Sequence, residues 1–153
     1  MNHHLFTSFS LFLLPMLGCA QTTDAPLYQE QELVSMKDTY TQYGAEGAQY
    51  FQIGSTIPYT GFLCARYDNG QLESVQQFKD GQGNGIWINF DPDGRKESQG
   101  TYVNNRVEGP VTHFYEDGSI KSTGQYRSFK RPIGWWTYFD RQGKVVSRRR
   151  FTR

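Results

Sequence analysis

The chain has 153 residues and a formal net charge of +1, a length that suits one domain and a charge that argues against a nucleic-acid binder. Hydrophobic residues make up 37% and mean hydropathy is −0.68, too little aliphatic material for a thick two-layer core. Aromatics reach 16% beside sixteen glycines, a composition of strands and tight turns rather than packed helices.

The first element is a targeting segment. Residues Leu5 to Leu14 form an apolar run too short for a membrane-spanning helix, which needs roughly twenty residues, and matching the hydrophobic region of a signal peptide. The preceding Met1-Asn2-His3-His4 carries no Lys or Arg. The segment closes on Pro15-Met16-Leu17-Gly18-Cys19-Ala20, which resembles a bacterial lipobox, with Cys19 as the lipidated residue and new N-terminus. Gly18 and Cys19 fit; Met16 and Leu17 depart from the commoner Leu and small residue. Ordinary signal cleavage after Ala20 is the alternative, and polar sequence follows too soon for an unprocessed buried helix. Residues 1–18 are thus expected to be a lipoprotein signal peptide and 19–27 a tether. Several acyl chains on Cys19 would anchor the protein stably, at about 0.8 kcal/mol per buried methylene. If the source is Gram-negative, Ala20 after the Cys points to the outer membrane, at its periplasmic or surface face. Simple secretion is the alternative. Cys64 is then unpaired, and no structural disulfide is expected.

Residues 28–60 form a lead-in. Leu27, Leu33, Val34 and Met36 suit a short helix or a first strand, Tyr40 to Gly47 looks turn-rich, and a strand near Gln49 to Ile53 is expected to cap the sheet's first edge.

The body, 61–153, is repetitive. Glycines recur at Gly61, Gly85, Gly109 and Gly134, and again nine residues later at Gly70, Gly94, Gly118 and Gly143, in steps of 24, 24 and 25. The extra residue lies within Arg127 to Ile133. Two after the first glycine stand Leu63, Trp87, Val111 and Trp136; five after it, Arg66, Phe90, Phe114 and Phe139. Thirteen after it is serine, at 74, 98, 122 and 147; seventeen after it, Phe78, Tyr102, Tyr126 and Phe151. Each of the four units, 61–84, 85–108, 109–133 and 134–153, reads as a β-hairpin. Asp-Asn-Gly or a similar turn separates the strands, and the second strand alternates with period two. The unit glycines are expected to let the backbone bend or an aromatic lie across them, and the serines to be small residues beneath neighbouring aromatics.

Residues 85–94, Gly-Ile-Trp-Ile-Asn-Phe-Asp-Pro-Asp-Gly, and 134–143, Gly-Trp-Trp-Thr-Tyr-Phe-Asp-Arg-Gln-Gly, resemble the variant MORN repeat of bacterial proteins, as does the Pro58-Tyr59-Thr60-Gly61 lead into the first unit. The resemblance covers about residues 50 to 153. It implies an all-β fold, an elongated antiparallel sheet of tandem hairpins, with no catalytic residues. It also implies links with membrane association, scaffolding and, in many bacterial members, an antitoxin-like label. The repeat signature comprises the eight glycines with Trp87 and Trp136.

The chemical inventory is sparse. His113 is the one histidine beyond the targeting segment, and its repeat equivalents are Ala65, Asn89 and Tyr138, so no partnered base is singled out. Cys64 matches Ile88, Thr112 and Thr137, an ordinary sheet position. Asp91-Pro92-Asp93-Gly94 looks like the start of a calcium loop without its ligand ladder, and reads better as a turn. No metal or cofactor is expected, and no enzymatic activity. The C-terminus is basic, with Arg141, Lys144, Arg148, Arg149, Arg150 and Arg153 and no acid after Asp140. It could meet anionic lipid or an acidic partner, or protect an exposed edge strand. The expected function is a protein-binding or scaffolding lipoprotein of the bacterial cell envelope whose protein partner the sequence leaves unknown. The alternative is an antitoxin-like or immunity protein neutralising a cognate toxin.

Overall fold

The computed structural model describes residues 27–45 and 47–152; the signal segment, Cys19 and its tether up to residue 26 lie outside the described residues. Eleven strands follow in chain order: β1 Leu33–Ser35, β2 Thr39–Gly44, β3 Gly47–Gln52, β4 Gly61–Arg66, β5 Leu72–Lys79, β6 Gln82–Phe90, β7 Lys96–Val103, β8 Arg106–Phe114, β9 Ile120–Arg127, β10 Arg131–Phe139 and β11 Val145–Phe151. Nine of them form one sheet in the order β1-β4-β5-β6-β7-β8-β9-β10-β11, and β2 and β3 form a separate two-stranded sheet. From β4 to β11 every pairing is antiparallel between sequence neighbours, so the body is a row of successive hairpins.

Two kinds of turn alternate along the row. Within each unit, Gly70, Gly94, Gly118 and Gly143 take φ of 79 to 87° and donate their N–H to the carbonyls of Tyr67, Asp91, Tyr115 and Asp140 at 2.9–3.0 Å. That is a turn closed by a left-handed residue, which glycine adopts without a Cβ penalty. Between units the connections are Asp80-Gly81, Asn104-Asn105 and Ser128-Phe129-Lys130, all at positive φ. The third is one residue longer, which is where the 25-residue step arises.

Gly85, Gly109 and Gly134 sit inside strands, whereas Gly61 opens β4. Opposite Gln77, Thr101 and Gly124 the partner strand carries three residues to one, and the ladder shifts there. Gly85, at φ 116°, is one of these bulge residues, and a Cβ there would lie 2.0 Å from Oε1 of Gln77. That oxygen accepts the N–H of Ile86 at 3.2 Å. The side chain on the flat strand thus replaces a ladder hydrogen bond lost at the bulge.

One face of the sheet holds the core. Trp87, Val107, Val111 and Trp136 cluster there, with Tyr102, Tyr126, Tyr138 and Phe151 packed around them. Cross-strand register sets Leu63, Gln76, Trp87, Gly100, Val111 and Gly124 in one row, with Trp136 lying over Gly124. On the opposite face Cys64, Val75 and Ile88 form a second buried row, and Tyr28 packs its ring 6.2 Å from Phe62.

Four expectations need correction. The strand over residues 47–52 does not cap the edge: Tyr50 donates its N–H to Gly81 O and accepts that of Tyr59, both at 2.8 Å, holding β3 over the β5–β6 turn. The edge is covered instead by β1, parallel to β4, between two 3-10 turns. Tyr40 to Gly47 is mostly strand, because Thr39, Tyr40, Thr41 and Tyr43 favour the extended chain and pair with β3. The Trp87 and Trp136 indoles lie not across the unit glycines but across Gly100 and Gly124; of the unit glycines Gly61 has the Tyr59 ring over it, and Gly85, Gly109 and Gly134 mark bends, as the other half of the expectation has it. The serine at 147 is exposed, since β11 has no further strand beside it among the described residues, whereas Ser74, Ser98 and Ser122 are buried.

A methyl at Gly100 would sit 2.6 Å from Cζ2 of Trp87, and one at Gly124 2.2 Å from Cδ2 of Trp136. Gly100→Ala and Gly124→Ala should each lower unfolding free energy by about 1–3 kcal/mol through overpacking. Ser147→Ala should stay within about 0.5 kcal/mol of wild type. Urea melts followed by tryptophan fluorescence check both; unchanged midpoints for the glycine variants would contradict the packing described.

Candidate interaction surface

The aromatic face is built by the repeat register. The unit glycines pair with the closing aromatics, Gly61 with Phe78, Gly85 with Tyr102, Gly109 with Tyr126 and Gly134 with Phe151, so these rings stand on the face that carries Trp87 and Trp136. Ring centroids lie 4.9 Å apart for Tyr50 and Phe78, 6.2 Å for Trp87 and Tyr102, 5.2 Å for Tyr126 and Trp136, and 6.0 Å for Trp136 and Phe151. These tilted and edge contacts suit the aromatic quadrupole and add to the area buried. The indoles themselves are buried, while Tyr102, Tyr126, Tyr138 and Phe151 are half-buried and form the accessible stripe. Trp87 Nε1 donates to Thr101 O at 3.2 Å, whereas Trp136 Nε1 has no hydrogen-bond partner among the described residues.

Polar groups frame the stripe. The left-handed run Ser128-Phe129-Lys130 brings Lys130 Nζ to 5.8 Å from the Trp87 ring, a cation–π contact. Lys130, Tyr67, Ser74, Gln76 and Asn89 line a depression of about 360 Å³ beside Trp87 and Tyr102. A second depression, about 170 Å³, lies on the opposite face among Leu27, Ile86, Ile88 and Pro110.

His113 stands in the row of buried serines, opposite Ser98 and Ser122. Its ring stacks on Trp136 at 6.0 Å, and Nε2 lies 3.4 Å from the Tyr126 hydroxyl. Among the described residues no carboxylate bonds it, so it has the surroundings of a packing residue without the oriented partner a general base needs. Burial first, then Lys121 and Lys130, holds its imidazole below the ordinary value. Cys64 is buried in β4 opposite Val75. The Asp91-Pro92-Asp93-Gly94 segment is a turn: Asp91 Oδ1 accepts the N–H groups of Asp93 and Arg95 at 3.0 and 2.9 Å, and Oδ2 that of Arg95 Nε at 2.7 Å. Among the described residues no group of three or more His, Cys, Asp or Glu could hold a metal ion. None of their helices is long and apolar enough to cross a membrane. The basic residues Arg148, Arg149 and Arg150 are exposed along β11, with the Arg149 guanidinium 4.8 Å over Phe151.

Sequence reasoning missed Gly100 and Gly124. Their signal is the position fifteen after the unit glycine, where Gln76, Gly100, Gly124 and Arg149 stand. It missed Lys130 because that residue lies in the extra-length turn, where the repeat offers no template.

Because the folded chain holds His113 below its ordinary value of 6.5, the unfolded chain binds the proton first as pH falls. The neutral imidazole's contribution to stability is complete above about pH 7 and is lost as pH falls through 6.5 towards the lower folded value. Asp117 is different: Ser119 hydrogen bonds and then Arg141 bring it down from 3.8 to about 2, so its contribution holds above 3.8 and is lost below. His113→Gln should therefore flatten the loss of melting temperature that sets in as pH falls below about 7 while leaving the loss below pH 3.8 in place. A thermal-shift series across pH measures both windows.

Residues 84–104 and 107–128 each match the MORN repeat variant, and they coincide with the hairpins β6–β7 and β8–β9. The solved structure of TarM is similar over 74% of this chain and 19% of that one, at 15% identity and a TM-score of 0.38. A point mutant of TarM from S. aureus, in complex with fondaparinux, alpha-GlcNAc-glycerol and UDP, gives 14% identity and 0.37 over 71% of this chain and 19% of that one. This chain thus spans 19% of the length of those proteins. No curated protein matches. Repeats of the MORN kind are generally modules for protein or membrane interaction. Over the described residues the chain is a nearly all-β row of successive hairpins, and its two central hairpins match the MORN repeat variant.

Proposed function

We propose that this protein is a non-enzymatic binding or scaffolding lipoprotein of the bacterial cell envelope, tethered through Cys19, at the outer membrane, and engaging a protein partner with its aromatic face. The observation that carries this reading is the stripe of half-buried Tyr102, Tyr126, Tyr138 and Phe151 over two fixed indoles. Large rings with polar tips, already held in place by packing, give contact area with little further loss of side-chain freedom; tyrosine and tryptophan dominate protein interfaces for that reason. The flanking Lys130, Gln76 and Asn89 supply a polar rim. A non-catalytic role accords with His113, whose ring neighbours are Tyr126 and Trp136.

Anchoring is tested by intact mass and cell fractionation of wild type and Cys19→Ser. Wild type should carry the added mass of lipid and sediment with membranes, and the variant should be soluble. Soluble wild type cut after Ala20 would instead make this a secreted module, and full-length cytoplasmic protein would sink the export reading. Partner binding is tested by capture from envelope extracts. Wild type should retain a specific protein that Tyr102→Ser/Tyr126→Ser, shown folded by far-UV circular dichroism, retains at least roughly tenfold less well, a loss typical of two interface hot spots. Equal capture by both would place the binding surface elsewhere.

A further inference from the structure

We propose that copies of this chain associate end to end, the arginine-lined outer edge of β11 in one copy against the acidic β1 edge of the next. The partner is a second copy of this chain, and the proposal does not depend on what the aromatic face binds.

Charge segregation carries the argument. Residues 1–117 hold six Lys or Arg and fourteen Asp or Glu, a net of −8, while residues 118–153 hold ten Lys or Arg against Asp140 alone, a net of +9. Within the row from β4 onward, units 61–84 and 85–108 each carry a net −1, unit 109–133 a net +2 and unit 134–153 a net +5, so positive charge rises along the hairpins towards β11. The near-neutral total conceals a strongly basic last hairpin and a weakly acidic first end. Arg148, Arg149 and Arg150 are all exposed on β11 and, alternating, stand on both faces of the sheet. At the other end Glu30 and Glu32 precede β1 and both are exposed; Glu30 is paired with Arg66 of its own chain at 3.2 Å, so Glu32 is the carboxylate left to meet a neighbour.

Strand polarity fits the same junction. β1 is parallel to β4, and β11 is antiparallel to β10, which runs in the β4 direction. A β1 placed beside β11 of another copy would therefore be antiparallel to it, continuing the alternation of the whole sheet. Antiparallel placement also sets the C-terminal half of β11, with its three arginines, beside the N-terminal side of β1, where Glu30 and Glu32 stand. Neither edge has a neighbour on its outer side among the described residues. Two β11 edges would repel each other, as would two β1 edges, so symmetric pairing is disfavoured and the head-to-tail contact is left. The short β1 makes the strand contact small, so complementary charge must supply much of the attraction and the contact must be sensitive to salt.

The test is sedimentation velocity of the full chain in a non-ionic detergent, over a range of concentration and salt. Wild type should grow past dimer as concentration rises and return to monomer near 1 M salt, where the Debye length is only about 3 Å. Arg148→Glu/Arg149→Glu/Arg150→Glu, which puts carboxylates on both edge strands, should stay monomeric, and so should Glu30→Lys/Glu32→Lys, which puts cations on both. Mixing these two variants should restore association, because each then meets a complementary edge. Far-UV circular dichroism confirms that both are folded; if either is not, the salt series on wild type still decides. Wild type that is monomeric at every concentration overturns the proposal, even if it binds anionic vesicles. So does a dimer that resists salt, or one that persists in both charge variants.

Discussion

A sheet one layer thick has no second layer to cover its apolar face, so its aromatics must be covered by one another and by the sheet itself. Here that is done by laying each buried indole over a glycine on the adjacent strand. Trp87 lies over Gly100 on β7 and Trp136 over Gly124 on β9, so the two rings lean towards each other with Val111 on the strand between. Any side chain at either glycine would lift an indole off the sheet, and the tyrosines packed on it would lose their support. Few aliphatics are needed because each large ring buries roughly 150–250 Å².

The hairpins are not four equal copies. Tyr67 and Tyr115 occupy the same unit position, and each donates its hydroxyl to a carbonyl of the next hairpin, Phe90 at 2.8 Å and Phe139 at 2.9 Å. Asp91 and Asp140 hold that position in the intervening units, and their carboxylates turn back to cap their own turns, at Arg95 N and Lys144 N, each 2.9 Å. The alternation of Leu63 and Val111 with Trp87 and Trp136 follows the same rhythm. The structural repeat is therefore a pair of hairpins, in which a tyrosine unit leans on the aspartate unit after it.

The hairpins were legible because turn glycines and alternating strands are local signals, readable within one unit. Three of the unit boundaries were read from glycines that prove to be bulge residues inside strands, so β6, β8 and β10 each begin three residues ahead of them. What escaped the sequence is what depends on cross-strand register. Whether Gly100 lies under Trp87, or β1 rather than β3 covers the edge, follows from pairings between residues far apart in the chain. Leu33 and Val34 look no different from a helical fragment until Phe62 and Leu63 are placed beside them. The charge gradient was visible in part, as the basic C-terminus. Its acidic counterpart, Glu30 and Glu32, is weaker and becomes an end only once β1 is known to be the first strand of the sheet.

The cap at the first edge differs from everything after it in how far the chain must travel to make it. Each hairpin closes through a turn of a few residues, but β1 reaches β4 only across the whole of β2 and β3, and Ala48 O accepts from Asn105 Nδ2 at 2.8 Å across 57 residues. Local closures lose little chain entropy and distant ones more, so the hairpins can zip from any starting point along the row. The cap has no such freedom. It docks onto a surface made by the first two hairpins and the Asn104-Asn105 turn after them, which gives an otherwise directionless array a defined first end and an order in which to complete itself.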